Sequence, residues 1–101
     1  MELLVPLNDP QYAAKSVAYT GTAGSTTPWP SGPQGVLVWC TTDAYVRVYS
    51  GTAVAATVAD TPLPANTAVP FKIRNADIPW GVSAVQISAG GTMYAKPLNK
   101  E

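Results

Sequence analysis

Acid–base chemistry in this chain would fall to six carboxylates, Glu2, Asp9, Asp43, Asp60, Asp77 and Glu101, with no histidine to accompany them. A catalytic carboxylate pair needs two groups held a few ångströms apart in unlike surroundings. Asp43, Asp60 and Asp77 instead fall among turn residues, where aspartate bonds nearby backbone. A calcium loop on Asp60 and Asn66 would lack both the spacing and the clustering of cation ligands. The lone cysteine, Cys40, excludes an intrachain disulfide, and with no histidine it excludes His-based triads and His/Cys zinc sites. It sits in an apolar run and reads as a small buried hydrophobe. Gly21, Gly24 and Gly32 open no helix, and Gly90-Gly91 joins two strand-like runs, so neither set cradles a phosphate. The chain is therefore expected not to be an enzyme, with no metal, no cofactor and no small-molecule substrate.

What remains is the chemistry of contact. The run AYVRVYS places Ala44, Val46 and Val48 on one face of a strand and Tyr45, Arg47 and Tyr49 on the other. Tyrosine and arginine are enriched where proteins meet partners, so this outer row is a candidate interface. A self-supporting ladder of cross-strand and cation–π contacts is the competing reading. Trp29, held between Pro28 and Pro30, Trp80 in the turn NADIPWG, and the apolar run Leu3-Leu4-Val5 complete the candidate partner-binding residues. Trp80 also reads as packing at one end of the fold, and Trp39 as core. Zero net charge gives no basic footprint for nucleic acid and little repulsion between copies. No apolar run approaches a membrane span, and MELLVPLNDP lacks the basic start of a secretory signal.

The elements that must position these residues are strands. Runs alternating in polarity, broken by turn residues, recur through residues 35–97, and no helical periodicity is sustained. The expected fold is all-β: an antiparallel β-sandwich or jelly-roll-like barrel with an extended N-terminal arm. The arm, residues 1–34, holds one strand (KSVAYT) and a Pro/Gly/Thr-rich loop; residues 35–101 form the compact β domain of what is a single domain overall. GVLVWC and AYVRVYS read as a hairpin about a Thr-Thr-Asp turn, and Gly90-Gly91 as the tight turn of a second. The segment DTPLPAN reads as a connection that could not be a central strand.

Three stretches, AYVRVYSGTAVAAT, DTPLPANTAVPFKI and SAVQISAGGTMYAKPL, together resemble the small head decoration (capsid cement) proteins of tailed bacteriophages. The resemblance covers roughly residues 36–97 and is one of strand and turn types. It implies a virion structural protein, made in the host cytoplasm, that binds the outer capsid surface and stabilises contacts between major capsid subunits. It further implies a homo-oligomer, a dimer or trimer, whose arm contacts another polypeptide. A carbohydrate-binding or host-adhesion module, with Trp80 and tyrosines stacked on sugar rings, is the alternative.

Overall fold

A computed structural model describes residues 10–52, 54–73 and 77–100, the side chains of 99 and 100 excepted. After a short 3₁₀ helix, Pro10–Tyr12, eight strands follow in order: β1 (Lys15–Tyr19), β2 (Gly24–Ser25), β3 (Pro33–Cys40), β4 (Ala44–Ser50), β5 (Thr61–Leu63), β6 (Val69–Lys72), β7 (Trp80–Gln86) and β8 (Gly91–Lys100). They form two four-stranded antiparallel sheets, β1-β8-β3-β6 and β2-β7-β4-β5. First pairs with last and so inward: β1 with β8, β2 with β7, β3 with β6, β4 with β5. That is the pairing of one long two-stranded ribbon folded over and rolled, the jelly-roll solution to leaving few open edges. The all-β sandwich expected from the periodicity is the architecture present.

The core lies between the sheets. Val36, Val38 and Cys40 of β3 face inward, paired across to Pro97, Ala95 and Met93 of β8. Ala44 and Val46 of β4 oppose them beside Val82 and Ala84 of β7, with Val48 packed at the margin. Alternation selected these rows, since a two-residue period puts every second side chain on the buried face. Proline explains where the sheets stop. Pro62 and Pro70 sit on the edge strands β5 and β6, where a missing N–H breaks no interior ladder. Pro97 lies past the last β1–β8 pair, Lys15 with Ala95, where β8 no longer has β1 as a neighbour.

Three sequence expectations need correction. Neither expected hairpin forms, because β3 and β4 belong to opposite sheets, as do β7 and β8. The Thr-Thr-Asp turn and the Gly-Gly turn carry the chain across the sandwich. Gly90 and Gly91 do not supply positive φ; among the described glycines only Gly32 and Gly51 do. Their role is close approach, since a Cβ on Gly91 would lie 2.6 Å from the Thr41 and Thr42 hydroxyls. Second, residues 10–34 hold two strands rather than the one expected, one in each sheet, and β3 already begins at Pro33. Third, Trp39 is outward-facing and half-buried, not core.

Candidate interaction surface

The two ends of the sandwich are closed by side chains. At one end the Tyr19 hydroxyl donates to the Thr42 carbonyl (2.9 Å) and accepts the Thr42 N–H (3.2 Å), while the Thr42 hydroxyl donates to Ala89 O (2.9 Å). At the other, Trp29 and Trp80 pair through both backbone N–H groups and stack with centroids 4.7 Å apart. The Trp29 indole N–H donates to Ala13 O (2.9 Å), and Lys15 Nζ lies 4.9 Å from the Trp29 ring centroid while donating to Thr27 O and Pro28 O. Both tryptophans are 0% exposed. They are core residues, not partner-binding ones, because their rings are spent on each other.

The outer row of β4 is also not the open surface its composition suggested. Residues 54–60 fold back across the second sheet. Ser83, opposite Arg47 in the register, uses its whole hydroxyl capacity there: it accepts from Ala56 N–H (2.9 Å) and Ser25 Oγ (3.0 Å) and donates to Gly24 O (3.2 Å). Asp60 accepts the Thr57 N–H (2.7 Å) and pairs with Arg47 Nε at 3.2 Å. Tyr49 is only 4% exposed and donates its phenol to Thr26 O (3.0 Å), so it too leaves the candidate interface. Tyr45 and Arg47 remain half-buried. The ladder reading fails as well, since the arginine is held by Asp60 of the overlying segment.

The outward face of the first sheet has a different character. Register places Ser16, Tyr94 and Trp39 in one row, Lys96, Leu37 and Pro70 in the next, and Lys72 beyond them. Trp39 and Tyr94 stack at 5.4 Å, 16° from parallel, and Tyr94 is 37% exposed. Leu37 and Trp39 are half-buried, and Pro70 and Lys72 are exposed. An aromatic and aliphatic patch thus lies on a rigid sheet, with Lys96 and Lys72 to one side of the aromatic pair. Interfaces favour aromatic side chains at the centre of the patch and a polar rim. Sequence reading missed this face because GVLVWC is apolar on both sides. Only the β3–β8 register reveals that Trp39 meets Tyr94 outside.

Among the described carboxylates, Asp43 accepts the Ala65 N–H (2.8 Å), Asp60 serves the covering segment, and Asp77 lies in the β6–β7 connection. Among the described residues no three His, Cys, Asp or Glu side chains group together. No described helix is long and apolar enough to cross a membrane. Leu3, Leu4 and Val5 lie outside the described residues. No family model, curated protein or solved structure matches this chain.

Proposed function

We propose that this chain is a non-catalytic structural protein of a tailed-phage head, binding as an oligomer to the outer capsid surface and stabilising contacts between major capsid subunits. The observation that carries the reading is the contrast between the two outward faces. One is closed by the chain's own residues 54–60, and the other presents Trp39, Tyr94, Leu37 and Pro70 with Lys96 and Lys72 to one side of the aromatic pair. Prolines on β5 and β6 discourage strand addition at those two edges, and the uncovered face is the surface assigned to a neighbouring polypeptide. Jelly rolls serve as capsid domains and as lectins alike, so the fold supports the class without selecting within it. The three stretches of family-like sequence run through β4 and its covering segment, β5–β6 and β7–β8.

Against the adhesion reading stands the geometry of the rings. A sugar platform displays ring faces, whereas Trp39 and Tyr94 turn faces toward each other and Trp80 is buried. Purified chain incubated with empty expanded capsids of the phage that encodes it should co-sediment with them and appear as added density by electron microscopy. Folded chain that stays in the supernatant would reject the reading, and glycan-array binding lost on Trp39→Ala would replace it with adhesion.

A further inference from the structure

We propose that the outward face of the first sheet takes an extended acidic segment of its partner polypeptide. The segment lies along β3, with an apolar residue against the Trp39–Tyr94 pair and carboxylates toward Lys96 and Lys72. The inference deepens the reading of this face as the capsid-binding one and rests on it for the partner's identity. Charge is the first argument. Among the described cations, Arg47 is consumed by Asp60, and Lys15 by the Thr27 and Pro28 carbonyls. Lys72 makes no hydrogen bond or ion pair among the described residues, and Lys96 spends one donor on Tyr12 O. Both belong to the uncovered face, and no described carboxylate does. Asp43 lies in the β3–β4 turn, Asp60 over the second sheet and Asp77 in the β6–β7 connection.

The rings add donors to the same face. The Trp39 indole N–H and the Tyr94 phenol make no hydrogen bond among the described residues. Indole and ammonium groups donate only, so the surface calls for acceptors. Stacking turns the ring faces toward each other and leaves the positively polarised edges outward. A second copy of this face would bring the same charges and donors, which disfavours self-pairing. Register then sets the spacing. Trp39 pairs with Tyr94, Leu37 with Lys96 and Gly35 with Lys72, so successive outward positions of β3 are flanked by the rings, one lysine and the other. Those positions are about 7 Å apart, the i to i+2 repeat of any extended chain. A segment over β3 with an apolar residue and carboxylates two and four positions on therefore meets all three in turn. A phosphate backbone fits less well, because it would meet two lysines beside Leu37 and Pro70.

The test has two arms, both on the full chain, with folding of each variant checked by thermal melting. In the first, isotope-labelled chain is titrated by NMR with the peptide Glu-Thr-Glu-Thr-Leu-Thr-Glu-Thr-Glu, whose pattern reads alike in both directions. The Trp39 indole N–H resonance should shift, and the same peptide with lysine for glutamate should leave it in place. No shift at millimolar peptide, an equal shift with the lysine peptide, or a larger one with an oligothymidine of equal charge overturns the proposal. In the second, co-sedimentation with expanded capsids compares wild type, Lys72→Gln and Lys72→Gln/Lys96→Gln. The double variant should bind about three- to tenfold more weakly, and Lys72→Gln, whose side chain holds nothing in the fold, by part of that. Raising NaCl from about 50 to about 500 mM should weaken wild type and barely affect the double variant. Capsid binding unchanged in the double variant overturns the proposal. Peptide binding by a chain that ignores capsids supports the acidic partner and rejects the head-protein function alone.

Discussion

Gly81 has no room for a side chain, because the Tyr49 phenol lies over it on the way to Thr26 O. Gly81→Ala should therefore cost about 1–3 kcal/mol, the range for overpacking, seen as a lower urea midpoint at unchanged slope. An unaltered midpoint would mean the phenol moves freely. The same tyrosine and Cys40 also tie stability to pH. Burial pushes the Tyr49 phenol and the Cys40 thiol above their ordinary values of 10.0 and 9.0. The unfolded chain then releases these protons first as pH rises, so stability contributed by both groups is intact below about pH 9 and falls above it. Urea midpoints from about pH 8 to about pH 11 should drop, and less steeply in Tyr49→Phe. A drop as steep in that variant would assign the effect elsewhere. None of this was legible in AYVRVYS, because what covers Tyr49 comes from Thr26, far away in sequence.

At the scale of elements, the segment 54–60 decides which surface is open. Its anchor is the Ser83 hydroxyl rather than the visible ion pair. Ser83→Ala leaves the buried Ala56 N–H without an acceptor and should cost about 1–3 kcal/mol, with faster amide exchange across 54–60. Asp60→Asn removes a charge pair at a half-exposed arginine and should cost about 0–1 kcal/mol. The reverse order would make Arg47–Asp60 the latch. The inner row of β4 was legible because alternation separates Ala44 and Val46 from their neighbours, although its outer row proved covered rather than wet. β7 shows no alternation to read, because Trp80–Val85 is buried on both sides. β5 was missed because Pro62 argues against a strand everywhere except at an edge, and an edge is where it lies. The turns announced chain reversals correctly, but turn composition does not say which sheet receives the next strand.

For the whole molecule, the rolled ribbon pairs residues from opposite ends of the chain, as Lys15 with Ala95. Such non-local closure should place folding in the millisecond-to-second range, measurable by stopped-flow tryptophan fluorescence; microsecond folding would not fit this topology. The same topology gives a rigid body with one covered and one uncovered face, the arrangement a shell-binding protein needs if many weak contacts are to act together. The candidate face was the part least accessible to sequence reading, since it exists only once β3 and β8 are in register. The account is tested most directly by co-sedimentation with expanded capsids, comparing wild type, Trp39→Ala/Tyr94→Ala and the control Tyr45→Ala/Arg47→Ala, all shown to be folded. Capsid occupancy should be kept by wild type and the control and lost by about tenfold or more in the aromatic pair variant, as for a central interface cluster. Full occupancy by that variant, or loss confined to the control, would contradict it.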